Sequence, residues 1–314
     1  MDALSDLIRV IRLTGGIFLD AQFSAPWCVY SQVEPGECRP YLLEARHIIS
    51  FHYVVQGELY VMVEGEEPLL LRTGDIVLLP RNDVHVLGSD PALPPEHVTL
   101  HPPEDGSLPR LVQGGGGQLA HIVCGFLGSD APSSPLLGSL PRRLSINVSQ
   151  TGAGEWISSS FQFAARELNA GRLGAASVVS RLSELLFVEA LRGYVATLPA
   201  ERQGWLAALR DPVVSRALSL LHARPGHPWT AEDLAALVGL SRSAFADRFS
   251  ALVGQPPMQY LAQWRMQLAA QRLRASLEPM ARIAAEIGYE SEAAFSRAFK
   301  RQYGAPPAAW RRLK

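Results

Sequence analysis

The chain has 314 residues, 47% hydrophobic and 19% charged, with a formal net charge of −1. That apolar fraction excludes a low-complexity disordered protein, the longest apolar runs fall short of the roughly 20 residues a membrane helix needs, and the length predicts about two domains. Three cysteines (Cys28, Cys38, Cys124) are too few for a disulfide scaffold.

The N-terminal Met1-Asp2-Ala3-Leu4-Ser5-Asp6 carries acid where a secretory signal carries base, so a cytoplasmic protein without membrane contact is expected. Leu4, Leu7, Ile8 and Ile11 have the spacing of an amphipathic helix. From about 14 to 130 the signals are those of strands. Tyr53-Val54-Val55-Gln56-Gly57-Glu58-Leu59-Tyr60-Val61 and Leu69-Leu70-Leu71-Arg72-Thr73-Gly74-Asp75-Ile76-Val77 are short β-rich runs punctuated by Gly and Asp, as in an antiparallel barrel or jelly roll. His101 to Gln118 reads as a loop.

From about Gly154 the period becomes helical, with one segment near 154–170 and a longer one through Val178, Val179, Leu182, Leu185, Leu186 and Leu191. Its apolar stripe fits either packing on the barrel or a seam between two copies of the chain, centred on Leu182 and Leu186. Residues 199–209 read as a linker. The charge then changes sign. From Trp205 onward there are 15 Lys/Arg against 8 Asp/Glu, whereas residues 1–204 hold 14 against 22. A basic half suits an anionic partner once a motif supports it.

That motif is an internal repeat. Ser241, Phe245, Phe249, Gly254, Pro256 and Pro257 recur fifty residues later as Ser291, Phe295, Phe299, Gly304, Pro306 and Pro307. In each copy an Ala-rich helix, a Gly turn and a Ser N-cap lead into a helix whose phenylalanines share one face, which is helix-turn-helix grammar. With Phe245 and Phe249 buried, Arg242, Ser243, Ala246 and Asp247 face outward, and in the second copy so do Glu292, Ala293, Ser296 and Arg297.

This text resembles the AraC/XylS family of transcription regulators, from Trp229 to Gly254, through the bridge Arg265-Met266-Gln267-Leu268-Ala269, and from Met280 to Trp310. The resemblance implies a domain over 210–314 with helix-turn-helix units at 230–254 and 280–304, double-stranded operator DNA as partner, and RNA polymerase as the further partner of an activator. It places base readers at Ser243, Ala246, Asp247, Glu292, Ala293 and Arg297, beside Ser291 at the helix start. Arg242, Arg248, Lys300 and Arg301 suit phosphates better than bases. Only Arg297 among the readers can grip guanine with two hydrogen bonds.

The N-terminal half resembles a cupin, the type of sensor domain found on some AraC regulators, among them one that answers reactive chlorine. Gly74-x5-Pro80-x4-His85 matches the second cupin motif. The first is incomplete, since Ser50 takes the expected carboxylate place and only His52 remains of its histidines. The implied architecture is α+β in two domains: a cupin-like jelly-roll barrel over 1–153, helices over 154–198 available for a homodimer, and an all-α double helix-turn-helix domain. Cys28, His52, His85 and Cys124 form a ligand set that Zn²⁺ takes, and Cys28 with Cys124 a candidate redox pair. The inducer is then an oxidant, a metal, or a small organic effector held in the barrel by apolar walls such as Trp27, Phe51, Tyr53 and Tyr60. A cupin metallo-oxygenase is disfavoured by Ser50.

Overall fold

A computed structural model describes residues 2–38, 47–99, 108–129, 135–147, 154–170, 172–199 and 204–312. Contacts divide the chain into two units, Arg12–Thr197 and a second made of Leu198–Lys314 together with Met1–Ile11. The first eleven residues therefore belong with the C-terminal unit, not with the barrel as the 1–153 boundary has them.

Among the described residues of the first unit ten strands form two sheets. The larger has the order β10-β6-β3-β9-β1-β8, from β1 (Thr14–Ser24), β3 (His47–Gln56), β6 (Asp75–Leu79), β8 (Arg110–Gly114), β9 (Leu119–Ser129) and β10 (Leu144–Asn147). The smaller runs β2-β7-β4-β5, from β2 (Cys28–Ser31), β4 (Glu58–Val63), β5 (Leu69–Arg72) and β7 (His85–Gly88). Period-two alternation sets the interior: Leu19, Ala21 and Phe23 of β1, Leu59, Val61 and Val63 of β4, and Ala120, Ile122 and Cys124 of β9 pack together in one cluster. Each large side chain so buried contributes about 1.5–3 kcal/mol. The β3–β4 turn needs Gly57, whose φ is 84° and whose added Cβ would lie 2.1 Å from the Leu119 carbonyl oxygen.

The loop expected over 101–118 is in part a strand. Arg110–Gly114 pairs in parallel with Asp20–Ser24, its exposed Val112 alternating with half-buried neighbours as an edge strand allows, while 101–107 lie outside the described residues. Helix α2 (Pro135–Ser139) precedes β10, and α3 (Gly154–Asn169) and α4 (Ala175–Thr197) follow. Helix α4 packs on β1, β9, β10 and α3. Gly15 makes this approach possible, because a Cβ there would sit 2.3 Å from the Ser183 Cβ. Leu186 is buried in this packing and Leu182 half-buried, so Leu186 is no part of an exposed seam; among the described side chains the large exposed apolar residues are Val178 and Leu185 on α4 and Trp156 and Phe163 on α3.

In the second unit, α1 (Ala3–Ile11) packs on α6 (Pro212–Ala223) and α9 (Pro257–Ala275), burying Ala3, Leu7 and Ile11. The linker read at 199–209 is corrected where it is described: Trp205–Ala208 form the short helix α5, all four residues buried. They are too apolar to stay in water. Residues 200–203 lie outside the described set. The remaining helices are α7 (Ala231–Leu237), α8 (Arg242–Val253), α10 (Met280–Glu286), α11 (Glu292–Tyr303) and α12 (Pro307–Arg312).

Candidate functional site

The paired helix-turn-helix is assembled from local signals. Thr230 and Asp233 close a capping box on α7. Ser241 accepts from the Ala244 N–H at 3.3 Å to start α8, and Ser291 accepts from Ala294 at 3.2 Å to start α11. Gly254 and Gly304 end these helices in the left-handed region, at φ 82° and 74°. Phe245 and Phe249 touch edge to face at 5.7 Å between centroids, and Phe295 and Phe299 at 5.6 Å.

The opposite faces carry the expected readers. Arg242, Ser243 and Asp247 are exposed on α8 and Ala246 is half-exposed; Glu292, Ala293, Arg297, Lys300 and Arg301 are exposed on α11, with Ser291 at its start. Arg248 differs from its expected role. Its Nε and Nη2 donate to Asp211 Oδ2 at 2.9 and 2.6 Å, while Asp211 Oδ1 caps α6 by accepting from Val213 and Val214. Arg248 is thus a tie between two helices before it can be a phosphate clamp.

Inside the barrel the structure brings together three of the four expected ligands. His52 Nδ1 lies 3.0 Å from Cys124 Sγ, its Nε2 lies 2.7 Å from His85 Nε2, and His85 Nδ1 lies 2.9 Å from the Asp83 carbonyl oxygen. A carbonyl only accepts, so His85 holds its proton on Nδ1 and accepts at Nε2; His52 then donates from Nε2 and accepts at Nδ1 from the Cys124 thiol. Burial pushes both imidazoles toward the neutral form, His52 well below its usual range with His85 adding to the effect. Burial, then the charges of Asp20 and Glu37, pushes the Cys124 thiol up. The result is an uncharged relay with each ring lone pair already occupied.

Such a relay does not fit zinc, and the tetrad expected from sequence is corrected on two grounds. The three residues form a line rather than converging on a point, and among the described residues no group of three or more His, Cys, Asp or Glu could hold a metal ion. Cys28 does not join them. Trp27 and Val29 face the barrel core beside Cys124, so Cys28 between them points to the opposite face of its sheet, where its Sγ packs over Gly88. The same alternation undoes the Cys28–Cys124 redox pair, since two Cβ vectors on opposite sides of a sheet cannot be bridged without moving a strand. Cys38, read as a loop thiol, is fully buried against Val33, Ile48 and Phe126, where burial and then Glu37 push it up to about 11.

Beside the relay lies a cavity of about 540 Å³ that Cys124 helps to line. Its apolar wall is Leu19, Phe23, Val29, Leu87, Leu111 and Ile122, while Tyr30, Glu34, Glu37 and His97 supply polar atoms. The walls expected from sequence are elsewhere: Phe51 and Tyr53 lie on the other face of β3 from His52 and Val54, Tyr60 on the other face of β4, and Trp27 stacks on Phe23 at 4.0 Å behind the lining. Alternation in β1 would have found Leu19 and Phe23. No local pattern marks Glu34 and Glu37.

Two family models match the chain, a cupin over residues 2–196 and a helix-turn-helix domain over 234–313. An AraC-like transcription regulator of Streptomyces lividans is 33% identical over 99% of this chain and 98% of its own. The transcriptional regulator AlkR of Acinetobacter baylyi is 30% identical, covering 99% of both chains, and the RCS-specific transcriptional activator RclR of Escherichia coli is 28% identical over 99% of this chain and 97% of its own. No helix among the described residues is long and apolar enough to cross a membrane. With the doubled, Ser-capped helix-turn-helix, the cupin barrel and these full-length likenesses together, the chain belongs to the AraC family of DNA-binding transcription regulators, in the form that carries an N-terminal cupin domain.

Proposed function

We propose that this regulator changes its operator affinity when a small organic effector enters the cupin barrel. The observation that carries the reading is the cavity of about 540 Å³, whose volume and wall of hydrocarbon side chains with a few polar groups have the character of small-molecule sites. The neutral relay at its side supports an effector held by contact rather than by metal. The test is a melting shift of the full-length protein with candidate effectors, kept in the presence of chelator and reductant and accompanied by a change in operator binding. A ligand that binds the folded chain at a hundred times its Kd raises stability by about 2.7 kcal/mol. A shift abolished by chelator would overturn the reading.

A second reading rests on Cys124. His52 Nδ1, 3.0 Å away, is placed to take the thiol proton, and the relative from Escherichia coli is named as specific for RCS. Hypochlorous acid would transfer oxygen to the sulfur, giving a sulfenic acid and HCl. The high proton affinity of this buried thiol argues for slow reaction, and Cys124→Ser with an intact oxidant response would dismiss the reading. We further propose that two chains pair through the exposed Trp156, Phe163, Val178 and Leu185, and that the DNA-bound pair meets RNA polymerase. Sedimentation of Leu185→Glu as the parent species would exclude that pairing.

A further inference from the structure

We infer that the effector the barrel cavity prefers is an amphipathic organic cation, a protonated or quaternary amine carrying an apolar tail. This rests on the reading that the cavity holds an organic effector and goes beyond it by assigning the charge.

The lining divides into two chemistries. Leu19, Phe23, Val29, Leu87 and Ile122 offer only hydrocarbon, enough for an aliphatic or aromatic tail. The remaining wall carries the carboxylates of Glu34 and Glu37, the phenol of Tyr30 and the imidazole of His97, and no Lys or Arg is among the described lining residues. At the exposed rim of the cavity Tyr30 and His97 stack with centroids 4.6 Å apart, and the aromatic face of a tyrosine attracts a cation through its quadrupole. The backbone N–H of Glu34 donates to Glu37 Oε2 at 2.6 Å, which fixes the second carboxylate beside the first.

The electrostatics point the same way. Half-buried Glu37 has its proton affinity raised by burial and then, after the opposing Glu34 amide, by the charge of Glu34. A half-buried carboxylate at Glu37, with exposed Glu34 beside it and no Lys or Arg among the described lining residues, gains from a positive guest. Negative charge from Asp20 and Glu37 is also felt at Cys124, on the cavity wall. The Cys124–His52–His85 relay is neutral and cancels none of it. An anionic amphiphile of equal size would meet this field with the wrong sign, and a neutral one would leave it unbalanced.

The experiment uses the full-length chain and three probes of one tail length, octyltrimethylammonium, 1-octanol and octanoate, compared by calorimetric titration at fixed ionic strength. Octyltrimethylammonium is expected to bind at least about tenfold tighter than octanol, with octanoate weakest. Glu37→Gln should lower the affinity for the cation about tenfold and leave that for octanol unchanged. Glu34→Gln, at an exposed residue, repeats the test without disturbing the fold, and the melting temperature of each unliganded variant checks that it is folded. Octanol or octanoate binding as tightly as the cation, or a cation affinity indifferent to both substitutions, overturns the inference while the cavity reading stands. No heat with any of the three probes removes both.

Discussion

The two helix-turn-helix units are one scaffold written twice, and they differ most in how each is anchored and in what each shows on its outward face. The position fifty residues after His222, in the helix that precedes the second unit, is Arg272. In the first unit, His222 is stacked on Trp264 at 3.9 Å and accepts from Tyr260 at 2.7 Å, while Tyr260 accepts from Trp205 Nε1 at 3.1 Å. In the second, Arg272 pairs with Glu278 and Glu286, and Glu286 also pairs with Arg282. One unit is held by a buried neutral network, the other by a partly exposed ionic one. The outward faces differ in the same sense: α8 shows Ser243, Ala246 and Asp247 with its Arg248 tied to Asp211, whereas α11 shows Arg297, Lys300 and Arg301 without such a tie among the described contacts. The repeat preserves what folding requires and leaves more untied cationic side chains on the second unit's outward face.

The largest effect should show what is shared. Phe249→Ala and Phe299→Ala each remove a fully buried ring that packs on the other phenylalanine of its own helix and on Tyr260 or Trp310. Each is expected to cost about 3–5 kcal/mol in urea unfolding, and a loss confined to one of the two would break the equivalence. Arg297→Ala should weaken operator binding by about 1–3 kcal/mol and relax preference at one base pair in a competition assay. Ser243→Ala, on the first unit, should change it far less. Asp211→Ala removes the α6 cap and frees Arg248, for an expected stability loss of about 0.5–2 kcal/mol. The salt dependence of operator binding should then steepen as Arg248 becomes available to a phosphate, whereas Lys300→Ala should lower that slope by about one.

Acid distinguishes the two anchors. Burial pushes His222 down to about 3, against the opposing backbone of Ala3. Because the unfolded residue titrates near 6.5, protons bind the unfolded chain preferentially between these values. The stabilisation is complete above pH 6.5 and is lost as pH falls toward 3, with a slope of at most about 1.4 kcal/mol per pH unit. His222→Gln should flatten the pH profile of the melting temperature over that window. An unchanged profile would mean that the network survives with a charged ring.

The DNA-binding half was legible in the sequence because its signals are local. Ser caps, a closing glycine and phenylalanines at i and i+4 each act within a single turn or helix, and repetition at one offset raised their specificity. The sensor site was only half legible. His52 and Cys124 meet across the β3–β9 pairing from 72 residues apart, and residue types alone cannot say whether thiol and imidazole will share a metal or a proton. The exclusion of Cys28 follows from the parity of β2, but parity has no inside or outside until Trp27 and Val29 are seen facing the core. Glu34 and Glu37 carry no signal in the sequence because their chemistry comes from the cavity beside them and not from their spacing. The short helix at Trp205–Ala208 reads as linker in the sequence because Gly and Pro around it outweigh its apolar character.

Helix α1 is the part of the chain that departs furthest from a simple order of domains. Its Leu7 and Ile11 are buried with α6 and α9, and Gln271 Nε2 lies 3.4 Å from the Arg9 carbonyl oxygen. The C-terminal unit is therefore discontinuous: its polypeptide begins at the first residues, is interrupted by the whole barrel, and resumes near Leu198. During synthesis a ribosome releases this helix well before the rest of its unit exists, so its apolar face must wait unpaired until the last third of the protein has emerged. A fragment cut out at residue 198 would carry the complementary bare surface, and supplying the first eleven residues as a peptide in trans should restore what the cut removed.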